Sequence, residues 1–159
     1  MIEDLKAKTA TRFAHEAYRP KITSTEGARL YGGRWNPIGI GALYSSIERE
    51  TALAEFTRGI DTEHPMKPSI MVSLIVSATT VADFTSAPFL DALGIACADL
   101  VSGSDDHDYR IPQHLGALAY SHPIDALLVP SAARPGGANL VIFERDGQAP
   151  TMVVIDVSR

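Results

Sequence analysis

Cysteine is nearly missing from this 159-residue sequence, in which Cys97 stands alone. One thiol can form no intrachain disulfide and cannot assemble a cysteine-rich zinc site, so a reducing, cytoplasmic setting is expected. Long apolar runs are missing too. No stretch approaches the ~18 residues a membrane span needs, and the N-terminus lacks a basic region followed by an apolar run, so neither membrane insertion nor secretion is expected. Positive charge is scarce: 14 Lys and Arg face 19 Asp and Glu, for a formal net charge of -5. That balance disfavours a polyanion-binding surface, and direct nucleic-acid binding with it. A small anion such as a nucleotide is not excluded, because one or two Arg side chains and a few backbone N–H groups can hold a phosphate in an acidic protein.

With 45% hydrophobic and 21% charged residues the composition is globular, and the length suits a single domain over residues 1–159. The N-terminal segment Met1 to Ala10 is mildly amphipathic, and the alternation from Arg12 to Tyr18 predicts an edge strand. Between Pro20 and Gly41 five glycines and Pro37 predict an irregular loop, yet it holds Tyr31, Arg34 and Trp35, as an ordered, ligand-facing loop would. Ala42 to Ser45 reads as a strand. Ser45 followed by Glu48 is a capping-box pattern, predicting a helix through Arg58 that stops at Gly59. Ser69 to Val76 is a central strand, which Thr79 to Phe84 continues or pairs with. Short helices are expected over Pro88 to Leu93 and Pro112 to Tyr120, with an acidic loop between them. Three late strands, Asp125 to Val129, Asn139 to Glu144 and Thr151 to Val157, are separated by turns at Ala133 to Gly137 and Asp146-Gly147. This order is mixed α+β and not the regular alternation of a doubly wound sheet.

The chemistry-bearing residues cluster around GGRWNPIG (Gly32 to Gly39). Arg34 is a planar cationic fork suited to bidentate phosphate recognition, and Gly32 and Gly33 beside it would let backbone N–H groups approach the same anion. An isolated Arg in a turn is most often only solvated. Glu55 shares a helical stripe with Glu48 and Thr51, a pattern that also describes a solvated face, but Ile47, Leu53, Ala54 and Phe56 on the other sides suggest a helix buried around much of its circumference. Ser131 ends a strand before a Gly-Gly turn, where a serine caps a turn, meets a ligand or orients Glu55. Asn139 is a weaker candidate for fixing that turn. Tyr44 is an ordinary strand aromatic on general grounds, and Trp35 is a core anchor. Asp105-Asp106-His107-Asp108 and His114 lack the spacing of a calcium loop or a zinc site, so no metal is expected. His15, His64 and His122 are read as structural or surface residues, with only His15 near enough to the first strand to approach a pocket.

GGRWNPIG, LYSS, TALAE and VPSAARPGGANLVIF together resemble the RES domain, the toxin half of the Res-Xre type of bacterial toxin-antitoxin pair, from about Arg12 to Phe143. The resemblance implies an ADP-ribosyltransferase-like fold with mostly antiparallel sheets and flanking helices. It also implies an NAD-degrading enzyme that cleaves the nicotinamide-ribose bond by hydrolysis or phosphorolysis. The family's arginine, glutamate and serine fall on Arg34, Glu55 and Ser131, and its pocket aromatic falls on Tyr44. Arg34 would then grip the diphosphate, Glu55 would stabilise the ribose cation, Tyr44 would stack on nicotinamide or donate to it, and Gly33, Ser131 and Asn139 would contact the dinucleotide. NAD is expected as substrate and not as cofactor, with a helix-turn-helix antitoxin of the Xre type and a second copy of the chain as partners. Transfer of ADP-ribose to a protein uses the same cleft. Two competing readings are a silent antitoxin-binding module, weakened by the presence of Arg34, Tyr44 and Glu55, and a toxic nuclease, weakened by the negative charge.

Overall fold

A computed structural model describes residues 2–58, 68–103, 109–146 and 151–158. Gly59, His64, the acidic run Asp105 to Asp108, and Gly147 lie outside the described residues. The chain forms strands β1 (Ile2–His15), β2 (Ala42–Ser46), β3 (Ser69–Asp83), β4 (Ala126–Pro130), β5 (Ala138–Phe143) and β6 (Thr151–Ser158). Its helices are α1 (Glu26–Tyr31), α2 (Arg49–Arg58), α3 (Ala87–Leu93), α4 (Cys97–Val101) and α5 (Arg110–Ser121). No helix among the described residues is long and apolar enough to cross a membrane.

The α+β expectation holds. The sheet order is β1-β2-β5-β4-β3-β6, and an additional β1–β3 pairing closes the first five strands into a ring with β6 beside β3. Every pairing is antiparallel except β3 with β4. The first strand departs from the sequence reading. It runs unbroken from Ile2, pairs with β3 along its length and meets β2 at Thr11↔Ser46, so it is no edge strand. Glu16 to Tyr18, expected to end that strand, belong instead to a 3-10 helix, Glu16–Lys21. The segment from Thr79 continues β3 to Asp83. The glycine-rich loop contains α1, stopped at Gly32 with φ 73°, and α4 arises where only a loop was expected.

Period-two alternation sorts the strand residues between two cores. Ala10, Leu43, Ile70, Val72, Leu74, Leu140 and Ile142 fill the ring. Leu127, Val129, Val141 and Phe143 face outward and pack with Trp35 against Leu90, Leu100 and Ala119 of α3, α4 and α5. Each large side chain so buried contributes about 1.5–3 kcal/mol. Trp35 is 2% exposed with its ring 5.4 Å from Phe84, the anchor expected of it.

The capping box does not form. Ser45 is buried within β2, donating to the Leu140 carbonyl at 3.1 Å, and Glu48 precedes the first turn of α2, its carbonyl accepting from Ala52 N–H. The polar stripe of α2 is also the inward one. Thr51 and Ala52 are buried, whereas Leu53 is 47% exposed. A helix laid over a cleft can turn polar residues inward when each finds a partner, and these do.

Helix α5 approaches the glycine-rich loop so closely that a Cβ on Gly116 would overlap the Trp35 carbonyl. In an unobstructed helix Gly→Ala stabilises by about 1 kcal/mol. Here overpacking reverses the sign: Gly116→Ala should destabilise by about 3 kcal/mol, lowering the thermal midpoint by roughly 6–12 °C. A rise in the midpoint on thermal denaturation would refute this packing.

Candidate active site

Six segments converge on two adjoining cavities. The smaller, about 210 Å³, is lined by Thr11, Arg12, Tyr44, Glu55, Phe56 and Asn139 among others. The larger, about 860 Å³, extends past Tyr18, Lys21, Tyr31, Gly33 and Arg34. Arg12 and Tyr44 line both.

Glu55 points from α2 toward the first residues of β5. Ser131 Oγ donates to its Oε1 at 2.6 Å, and Asn139 Nδ2 donates to the same oxygen at 2.7 Å. Each donor is aimed by its own partners. The Ser131 oxygen accepts from the N–H groups of Ala133 at 3.2 Å and Arg134 at 3.1 Å, which directs its proton at Glu55. Asn139 Oδ1 accepts from Ser46 Oγ at 2.6 Å, which turns the amide so that its NH2 faces the carboxylate. Ser131 is thus both a turn serine and an orienter of Glu55. Asn139 holds the carboxylate and not the turn backbone. Nothing among the described residues donates to Glu55 Oε2, so one oxygen is anchored while the other is open to a ligand.

Tyr44 lines both cavities but has committed its hydroxyl. That group donates to Asn36 Oδ1 at 2.7 Å and accepts from Trp35 N–H at 2.9 Å. Burial pushes the phenol well above its ordinary pKa, the contacts to Trp35 and Asn36 only partly offsetting it, so it stays protonated and continues to donate. Asn36 in turn spends its Nδ2 on the carbonyls of Ala28 and Ile40, both at 2.8 Å, so one buried side chain braces the whole loop. Gly33 is required for this reason: a Cβ there would sit 2.7 Å from the Tyr44 hydroxyl. The N–H groups of Gly32 and Gly33, read from sequence as anion donors, already donate to the carbonyls of Ala28 at 2.8 Å and Asn36 at 2.9 Å.

Arg34 lines the larger cavity but is tethered. Its Nη1 donates to Ser102 O at 2.8 Å, its Nη2 donates to Gly103 O at 2.9 Å, and its guanidinium stacks 4.3 Å over the Tyr109 ring. Burial lowers its pKa, Tyr109 opposes that, Arg58 adds to it, and Glu55 and Tyr44 oppose it, so Arg34 senses the site carboxylate electrostatically. It stays cationic.

Arg12, not singled out from the sequence, is the cation common to both cavities. Its Nη1 donates to the Tyr44 carbonyl at 2.9 Å, its buried Nε has no hydrogen-bond partner among the described residues, and burial lowers its pKa. The legible signal is that Ala10 and Ala14 flank Arg12 on one strand face, small neighbours that leave room for a buried guanidinium. His15 packs 5.4 Å from Phe56 and 6.4 Å from Tyr18. Among the described residues no three His, Cys, Asp or Glu side chains group as metal ligands would.

Removing the Tyr44 hydroxyl should therefore cost stability. Tyr44→Phe strands the buried Trp35 N–H and the Asn36 oxygen, at about 1–3 kcal/mol, measurable by chemical denaturation. An unchanged unfolding midpoint would indicate that the hydroxyl serves a ligand and not the loop.

Residues 7–158 match the RES domain. Two relatives, each named NAD(+) phosphorylase MbcT, one from Mycobacterium bovis and one from Mycobacterium tuberculosis, are 25% identical over 154 residues, spanning 89% of this chain and 79% of their own. The crystal structure of the M. tuberculosis MbcT–MbcA toxin–antitoxin complex is similar with a TM-score of 0.73 and 25% identity, over 96% of this chain and 86% of the other. With every residue from Arg12 to Asn139 that builds the two cavities inside the matched span, the chain belongs to the RES domain family.

Proposed function

We propose that this chain is a toxin that degrades NAD by cleaving the nicotinamide-ribose bond. The observation that carries the reading is the Glu55 carboxylate, held on one oxygen by Ser131 and Asn139 and open on the other, in the wall of the smaller cavity. A carboxylate so fixed is suited to a ribose whose anomeric carbon becomes cationic, because its charge stabilises the transition state more than the ground state. The kinship with proteins named NAD(+) phosphorylase supports the same chemistry.

In this reading the nicotinamide riboside occupies the smaller cavity and the adenosine end extends along the larger. Tyr44 supplies a stacking face, Gly33 part of the wall, and Arg12 and Arg34 the positive charge that meets the diphosphate. The bond between C1′ and the pyridinium nitrogen breaks, its electron pair neutralising the leaving nicotinamide. The oxygen of water or inorganic phosphate then bonds to C1′, and with water a proton is released. The protein works as a single domain, with no metal or resident cofactor. Its setting is the cytoplasm, where NAD loss stops growth until a cognate antitoxin masks the cleft. An antitoxin of the Xre helix-turn-helix type and a homodimer are the partners inferred. The exposed Tyr18, Leu30 and Tyr31 at the larger cavity supply apolar surface for a partner.

Incubating the purified chain with NAD should release nicotinamide. ADP-ribose 1″-phosphate formed only with added phosphate identifies phosphorolysis, and ADP-ribose identifies hydrolysis. Glu55→Gln should lower kcat about 10²-fold, or about 2.7 kcal/mol, with NAD still bound. Near-normal turnover by the folded variant would overturn the assignment. Arg34→Ala should raise KM more than it lowers kcat, since a phosphate contact exists in both ground and transition states, and Arg34→Lys should restore only part because it loses the fork. A purely kcat-directed loss would count against a diphosphate contact.

A further inference from the structure

We infer that Glu48 is a positioning residue for Glu55: its carboxylate clamps the β4–β5 connection onto the start of α2 and so sets both donors that hold the Glu55 oxygen. This rests on the reading of Glu55 as the catalytic carboxylate. Glu48 Oε2 accepts from the Ala138 N–H at 3.1 Å and from Thr51 Oγ1 at 2.8 Å. Arg134 Nη1 closes the clamp from the other side, donating to Thr51 Oγ1 at 3.1 Å. The Ala138 carbonyl is held as well, by the Ile47 N–H at 2.9 Å, so both polar groups of that residue are tied to the entry of α2.

The clamped segment lies between the two donors. Asn139 follows Ala138 directly, and the Ser131 N–H reaches back to the Gly137 carbonyl at 2.9 Å. Gly137 packs so tightly on the fully buried Thr51 that a Cβ there would overlap the threonine hydroxyl. Glu48 and Glu55 stand seven residues apart, about two helical turns or about 10 Å along the axis. One end of α2 therefore grips the loop, and the other end receives the side chains that the loop presents. Burial raises the Glu48 pKa, but the Ala138 N–H, the Thr51 hydroxyl, its own backbone N–H and Arg134 outweigh it, and the carboxyl lies below its ordinary value. The charged acceptor that the clamp uses is thus the form that persists at neutral pH.

The test combines kinetics with a readout that needs no turnover. Glu48→Ala should lower kcat about tenfold, because a small displacement of a catalytic group is enough for such a loss, while KM changes by less than about twofold. Glu48→Gln keeps an oxygen for the Ala138 N–H and should restore most of the rate. In a Ser131→Ala, Asn139→Ala background the Glu48→Ala effect should largely vanish, since the positioned donors are gone. The side-chain amide resonances of Asn139, followed by 15N NMR without NAD, should shift in Glu48→Ala and return in Glu48→Gln. Should Glu48→Ala fail to fold, Thr51→Val against Thr51→Ser carries the same comparison. An unchanged kcat with unshifted Asn139 resonances, or a Glu48→Ala loss fully additive with the double substitution, overturns the inference. Absence of nicotinamide release by the wild-type chain would overturn the functional reading instead, and the NMR arm would still decide the clamp.

Discussion

The antiparallel register of β2 on β5 is the constraint on which the candidate site depends. Ser46 faces Asn139 and Ser45 faces Leu140, so the Ser46 hydroxyl meets the Asn139 amide just where β2 gives way to α2. A slip of one residue would send Asn139 to the opposite face and bring Leu140 into the cleft. Burial on both sides makes that slip costly. Leu43, Leu140 and Ile142 fill the ring while Ala42, Val141 and Phe143 fill the outer core, so each alternate position of both strands is committed. The hydrophobic pattern that folds the sheet thereby also places an amide against a carboxylate.

Two rigid bodies flank that register. On one side the glycine-rich loop is braced internally: Tyr44, Asn36, Trp35 and Gly33 satisfy one another's polar groups, and Gln113 of α5 donates to the Gly33 carbonyl at 2.8 Å. On the other, the β4–β5 connection is bound to α2 through Glu48 and Thr51. The cavities lie between, and polar groups on their walls that do not face a ligand are largely spent on the protein itself. Preorganisation of this kind favours electrostatic stabilisation, because the donors need not reorient when charge develops on a bound molecule.

Arg12 and Arg34 divide the positive charge of the cleft differently. Arg12 is half-buried on the sheet and lies where the cavities meet, its buried Nε without a hydrogen-bond partner among the described residues. Arg34 lies farther out, tied to the α4–α5 connection through Ser102 and Gly103 and stacked on Tyr109. An anion approaching Arg34 meets a guanidinium already held in place, with less side-chain entropy left to lose on binding.

Much of this was determined by sequence alone. Strong periodicity and local punctuation placed β2, the body of α2, α3 with its stop at Gly94, α5 and the three late strands, because those signals act over a few residues. The motif around Arg34, Tyr44, Glu55 and Ser131 picked out segments that the fold brings to the two cavities, because residue type and spacing are legible without coordinates. Only the tertiary structure decided what each group does. Ser45 reads locally as a cap, yet strand pairing claims it; Glu48 reads as its partner, yet the Ala138 N–H claims it. Tyr44 reads as stacking on a ligand or donating to it, and the fold commits its hydroxyl to Asn36 and Trp35. Arg12 reads as one residue of an alternating strand, yet closure of the ring by β1 places it at the meeting of two cavities. In each case a polar group chose among partners far apart in sequence, and burial decides that choice, since an unpaired buried polar group costs more than any local preference contributes.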